Sequence, residues 1–246
     1  MQGRGEIILK EDVATGSAFK VTGENHKNLL LWKPRMGEAF TVSGPSGKLL
    51  RARVTELNGD YAALYAFEDT GFKKDIFSVS LLQALPEKER MELIIQKTTE
   101  LGVSRVLPFE SKRSISLAER EAKQKKSHRW EDIALKAAKQ SRRDTLPEIL
   151  PYCSFREALD RAGAGGLKIM FFEGGGLMGL KEFLKGKKTD NAVILVGPEG
   201  GFTENEVREA EKRGFSPVTL GKRILRTETA GIIGVGIVMY ELGGMG

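Results

Sequence analysis

Three glycines constrain the C-terminal half of this chain more than any other feature. Gly174, Gly197 and Gly221 each follow a short apolar run, at Leu167–Phe172, Ala192–Val196 and Pro217–Leu220, and they stand 23 and 24 residues apart. The stretches between, Leu180–Lys185 and Glu204–Arg213, read as helices. Strand, helix and strand at that spacing make parallel strands joined by crossovers, with helices covering both faces of the sheet. The alternation begins earlier. Ile76–Leu82 and Val103–Phe109 read as strands, and Met91, Ile94, Ile95, Thr98 and Leu101 recur at helical spacing between them. Pro86 can open that helix and Gly102 can close it. Glu119–Ser141 reads as a long basic helix with Trp130, Ile133 and Ala137 on one face, and Phe155–Ala162 as another. In a parallel sheet the strand C-termini share an edge, so the three glycine loops share it too. Open α/β sheets bind ligands along that edge.

The first 70 residues obey a different rule. Ile7–Leu9, Phe19–Val21, Ala39–Val42, Leu49–Val54 and Tyr61–Phe67 are short apolar runs, punctuated by Gly23, Gly44-Pro45-Ser46-Gly47 and Asn58-Gly59-Asp60. Asn-Gly between such runs marks a hairpin, and the spacing predicts a small β barrel or sandwich. Asp69-Thr70-Gly71-Phe72-Lys73-Lys74-Asp75 reads as a polar linker. The expected division is therefore a β domain over 1–72 and an α/β domain over 73–246.

Charge narrows the partners. The formal excess is +6, and the stretch from Lys112 to Arg143 holds eleven Lys or Arg against four Asp or Glu, more than the whole of it. A concentrated positive face attracts a polyanion, and nucleic acid is the usual one. Lys123–Lys126 reads equally as a solvated helical face. Arg142 and Arg143, ahead of a proline-bearing turn, are suited to gripping phosphates. One cysteine, Cys153, excludes an internal disulfide framework and fits a reducing compartment. His26 and His128 are the only histidines, so neither a metal site nor a histidine-based triad is supported. The opening residues do not resemble a signal peptide, and the longest apolar run, Ile232–Tyr240, is short of the ~20 residues that span a bilayer. A cytoplasmic protein with no membrane partner is expected.

Two loops carry the chemistry. In Gly197-Pro198-Glu199-Gly200-Gly201 the glycines admit a ligand close to the backbone, Pro198 stiffens the turn and Glu199 offers a carboxylate. Thr203 with Glu206 reads as the capping box of the next helix. In Arg226-Thr227-Glu228-Thr229 a guanidinium, a carboxylate and two hydroxyls fall within four residues, ahead of the small-residue run Ala230–Gly236. Thr227 or Thr229 can cap that helix, and Arg226 can pair with Glu228. Gly174–Gly179 satisfies G-x-G-x-x-G after a strand, with Glu199 twenty residues beyond, as a dinucleotide site would. The following helix is short and the glycines nearly homopolymeric, which favours a plain loop. No Walker lysine pattern is present.

Taken together, these residues resemble the SPOUT class of methyltransferases, and within it the RsmE family, which methylates N3 of a uridine in 16S ribosomal RNA. Met91 through Val103 resembles that family's first methyltransferase helix, and Gln140-Ser141-Arg142-Arg143 with Pro147-Glu148-Ile149 its basic segment. Val196–Gly201 and Leu220–Ala230 resemble its two cofactor loops, and His26 through Glu38 a stretch of its N-terminal domain. The resemblance implies a PUA-like RNA-binding domain, a C-terminal domain with a deep trefoil knot, and a homodimer acting on the assembled small subunit. It implies S-adenosylmethionine held by Phe172, Val196, Gly197, Glu199 and Gly200, and by Leu220, Gly221, Ile224, Leu225 and Arg226. RNA contacts would fall to Lys33, Arg35, Lys112, Arg113, Arg142 and Arg143. Leu30-Leu31-Trp32-Lys33 stands where the family usually carries a Val-Leu-Arg run, so charge is kept but a bidentate phosphate contact is lost.

For the chemistry, Arg226 is expected to hold negative charge building on the uracil carbonyl oxygens, with Glu228 before Glu199 as proton acceptor. Two other readings share much of the pattern. A SPOUT enzyme could act on another rRNA or tRNA nucleoside, and a non-enzymatic RNA-binding assembly protein would use the β domain and basic helix alone.

Overall fold

The computed structural model describes residues 4–72, 77–86, 90–116, 118–119, 129–174 and 176–244. The chain divides into two compact units, Met1–Asp75 with Ala138–Leu146, and Ile76–Ala137 with Pro147–Gly246. The expected boundary assigned residues 138–146 to the α/β side, whereas their contacts lie with the β unit. No described helix is long and apolar enough to cross a membrane.

The first unit is an antiparallel sheet of β1 (Ala18–Thr22), β2 (Ala39–Ser43), β3 (Lys48–Leu57) and β4 (Tyr61–Phe72), in the order β1-β4-β3-β2. Both hairpins fall at the expected turns, Gly44–Gly47 and Asn58–Asp60, with Asn58 Oδ1 accepting from the main chain of Asp60 and Tyr61. Among the described residues the sheet is open rather than closed into a barrel. Ile7–Leu9 contributes only a bridge from Ile8 to Ser43. The expected linker fails at its start, since β4 continues through Asp69 to Phe72. A helix, α1 (Gly23–Leu31), stands where only a turn was expected. His26 and Leu29 are buried at i and i+3, a spacing outweighed in the sequence by the neighbouring strand signals.

The second unit is a parallel sheet built from β5 (Ser78–Ala84), β6 (Arg105–Glu110), β7 (Glu148–Ile149), β8 (Cys153–Ser154), β9 (Leu167–Phe171), β10 (Asn191–Val196) and β11 (Ser216–Val218). The order is β11-β9-β10-β5-β6-β7, with β8 also pairing β6. Its helices are α2 (Arg90–Glu100), α3 (Trp130–Gln140), α4 (Phe155–Arg161), α5 (Leu180–Leu184), α6 (Glu204–Lys212) and α7 (Thr227–Glu241). The start of α2 and the basic helix's residues 120–128, including Lys123–Lys126 and His128, adjoin or lie outside the described residues.

Strand alternation shows why both faces are covered. Ala192, Ile194 and Val196 of β10 pack with α2, α5 and α7, whereas Val193 and Leu195 pack with α4 and with Phe202, Ala210 and Phe215. Helix α7 lies close on this sheet because two of its glycines leave room. A side chain at Gly234 would overlap the Phe171 ring, and one at Gly231 would come within 2.8 Å of Gln83 Oε1.

Candidate active site

The loops after β9, β10 and β11 meet around one cleft of about 570 Å³, within the size range of small-molecule sites. All ten residues expected to hold a cofactor line it: Phe172, Val196, Gly197, Glu199, Gly200, Leu220, Gly221, Ile224, Leu225 and Arg226. The Gly174–Gly179 run contributes little. Gly175 lies outside the described residues, and Gly179 caps the five-residue α5 without a side-chain bond.

The Gly197–Gly201 loop is pinned from three separate elements. At its first residue, Thr227 Oγ1 donates to the Gly197 carbonyl at 2.5 Å and accepts from Gln83 Nε2 at 2.9 Å. Gln83 is fully buried at the end of β5, and its Nε2 also donates to the Ala84 carbonyl. At the centre, Arg90 Nη1 donates to Glu199 Oε1 at 2.6 Å. Arg90 Nε also lies 3.8 Å from Glu228 Oε1, so one guanidinium faces two carboxylates. Near the end, Arg113 Nη1 donates to the Gly200 carbonyl at 3.0 Å. Glycine eases that approach, since a Cβ at Gly200 would sit 3.1 Å from the Arg113 Cβ and press the arginine back.

Glu206 ties a further segment to this wall. It closes the expected capping box with Thr203, but its other oxygen accepts from Ser111 Oγ at 2.8 Å and from the Lys112 main chain at 2.9 Å. Burial alone would raise its pKa, yet these bonds together hold the carboxyl below its ordinary value.

Arg226 and Glu228, the residues expected to carry the chemistry, do not pair with each other. Helix α7 is capped by Arg226, with no side-chain cap bond, and Thr227 is its first residue. Thr227 therefore spends its hydroxyl on Gly197 rather than on a helix end. Arg226 is exposed and lines the cleft, and it makes no ion pair with Glu228 among the described residues. The Glu228 side chain is 12 % exposed and points to Arg90, and its Oε2 is buried without a hydrogen-bond partner. It does not line the cleft.

The expected RNA contacts divide between the units. Lys112 and Arg113 stand on the loop after β6, and Arg113 lines the cleft. In the β unit, Lys33 has φ of 47°, and its carbonyl accepts from Lys139 Nζ at 3.3 Å. The Arg35 main chain donates to Glu38. Arg142, at φ of 57°, is exposed, with Nη1 at 3.6 Å from Glu68, and its carbonyl accepts from Thr41. Arg143 is half-buried and reaches Thr145 at 3.4 Å. Burial pushes its guanidinium down to about 10, against the pull of Asp144. The adjacent arginines are thus not equivalent, and Arg142 is the presented one. Arg51, absent from the sequence reading, stands near Arg142 and is lowered by burial and then by that neighbour.

A doubly covered parallel sheet with the loops after three neighbouring strands converging on one cleft, two of them glycine-bearing there, has the form of a small-molecule-binding α/β domain of the nucleotide or nucleoside-cofactor type. Residues 73–239 match the family described as RNA methyltransferase domain, and the chain belongs to that family. Ribosomal RNA small subunit methyltransferase E from Bacillus subtilis is 28% identical over 95% of this chain and 94% of its own. The protein of the same description from Buchnera aphidicola subsp. Acyrthosiphon pisum is 31% identical over 93% and 90%. The crystal structure of this methyltransferase from Neisseria gonorrhoeae, bound to S-adenosyl methionine, aligns with a TM-score of 0.68 at 32% identity, covering 98% of each chain.

Proposed function

We propose that this protein transfers the methyl group of S-adenosylmethionine to N3 of a uridine in 16S ribosomal RNA. The cleft carries the reading. Its apolar walls, Phe172, Leu220, Ile224 and Leu225, suit a flat base, and Glu199 at its rim suits ribose hydroxyls or a cationic group. Gly221, at φ of +119° with open space where a side chain would stand, leaves main chain facing the ligand.

S-adenosylmethionine, when bound, supplies an electrophilic methyl group on a sulfonium. Uracil N3 must lose its proton as it attacks. Arg226, exposed at the cleft and without a carboxylate partner among the described residues, can stabilise the charge that builds on the uracil oxygens. Glu228 stands behind Arg90 and outside the cleft, so as proton acceptor it must act through a bridging water, with Oε2, unpartnered among the described residues, as the accepting atom. Beyond this the loops act by orientation. The base assignment fails if Glu228→Gln turns over at a near-normal rate with saturating substrates.

Three further features belong to this reading. A deep trefoil knot is supported by the path after β11, which lies at the sheet edge beside β9, while the following α7 packs on α2, β5 and β10 at its centre. An experimental density map traces or refutes it. A homodimer is supported by Ile233 and Tyr240, which α7 exposes at 46% and 71%. Light scattering at working concentration decides between one chain and two. The β unit is read as a PUA-like domain, with Lys33, Arg35 and Arg142 meeting RNA of the assembled small subunit, and Lys112 and Arg113 are the corresponding contacts of the α/β unit. Arg142→Ala should weaken subunit binding and lower its salt dependence by about one counterion.

A further inference from the structure

We propose that Arg113 serves both ligands at once and couples them, so that engaging RNA phosphate tightens the grip on the methyl donor. This rests on the methyl-transfer reading and goes beyond it. Arg113 lies in the positive stretch of the sequence and among the expected RNA contacts, whereas the fold puts its guanidinium on the Gly197–Gly201 loop, with Nη1 donating to the Gly200 carbonyl at 3.0 Å. These are compatible. A guanidinium presents five N–H donors in a rigid fork, and Arg113 is exposed, so donors not spent on Gly200 remain open to a phosphate.

The base of the side chain is fixed. Ser111 Oγ and the Lys112 main chain both donate to Glu206 Oε1, at 2.8 and 2.9 Å, and the Ser111 main chain donates to Ser114 Oγ at 3.0 Å. Phosphate on the outer N–H groups then immobilises a guanidinium whose attachment cannot drift. Gly200, which lines the cleft, is held with it through its carbonyl. Without RNA, the exposed fork loses more of this bond to solvent and side-chain motion. Coupling of this kind is reciprocal: the cofactor must tighten RNA by the factor that RNA tightens the cofactor.

The test measures equilibrium dialysis of labelled S-adenosylhomocysteine, which cannot react, with and without saturating small ribosomal subunits that lack the methyl group. For the native protein, subunits should raise the affinity about fivefold. Arg113→Ala should abolish that increase while still binding the ligand. Arg113→Lys, a point charge without a fork, should recover only part of it. Lys112→Ala should weaken subunit binding yet keep the increase. No increase in the native protein, or a full increase in Arg113→Ala, overturns the coupling. If the native protein binds neither S-adenosylmethionine nor S-adenosylhomocysteine, the methyl-transfer reading fails and the coupling with it; binding without an increase fails the coupling alone.

Discussion

The two loops that face each other across the cleft are built on opposite principles. Gly197–Gly201 is tied to α7 through Thr227, to α2 through Arg90 and to the loop after β6 through Arg113. Leu220–Arg226 makes only local bonds among the described residues, between Thr219 and Gly221 and from Ala230 to Arg226. Ile224 on it is 82% exposed. One wall is thus preformed, and the other is left for its ligand to complete. A preformed wall lowers the ordering cost of binding, while an unpinned one carries groups that must meet a second substrate. On this division, substitutions in the pinned wall act on stability and cofactor affinity together. Substitutions in the open wall act on binding or turnover without touching stability.

Arg226→Ala should break the open wall hardest. Turnover should fall by ~10²–10³-fold, as for removal of a transition-state donor, with little change in cofactor affinity. The reverse pattern would move Arg226 to cofactor binding. Thr227→Val should do most damage to the pinned wall. It strands the Gly197 carbonyl and one N–H of the buried Gln83 amide, costing about 2–3 kcal/mol in thermal or chemical unfolding. Glu206→Gln should cost about 1–2 kcal/mol at neutral pH. Because the folded state holds the Glu206 carboxyl below its ordinary value, its contribution is present above that value and is lost as pH falls through the lower, folded one. The native melting temperature should therefore fall more steeply with acid than that of Glu206→Gln.

Arg90→Ala leaves two carboxylates without their shared cation. The side chains of the Arg90–Glu199 pair are 28% and 30% exposed, so stability should drop by only about 1 kcal/mol, with cofactor affinity lowered several-fold. Ile224→Ser should be the smallest perturbation of the fold, within about 0.5 kcal/mol, while still weakening the cofactor. A large loss of stability there would erase the distinction between the walls.

The same contrast explains what the sequence disclosed. Glycine at the end of each strand places three loops on one edge, because parallel topology leaves them nowhere else to go. All ten residues of the two cofactor loops and Phe172 accordingly converge on one cleft. Pins between distant segments leave no local trace. Arg90 stands 109 residues from Glu199, and Gln83 stands 144 from Thr227, so neither arginine nor glutamine carries a motif that names its partner. Local chemistry allows Thr227 or Thr229 as the helix cap, but the half-buried Gly197 carbonyl on another loop takes the Thr227 hydroxyl. In the β unit, the Asn58-Gly59 turn was legible from its residue chemistry. Helix α1 was not, because two buried positions in nine residues make a weak period. The assignment of residues 138–146 to the β unit depends on long-range contacts that composition does not express.

Methyl transfer from labelled S-adenosylmethionine to small ribosomal subunits lacking the modification, followed by nucleoside analysis, tests the central claim most directly. The account predicts label in 3-methyluridine. Label in another nucleoside or on a ribose 2′-oxygen would contradict the substrate assignment, and absence of both transfer and cofactor binding would contradict the enzyme itself.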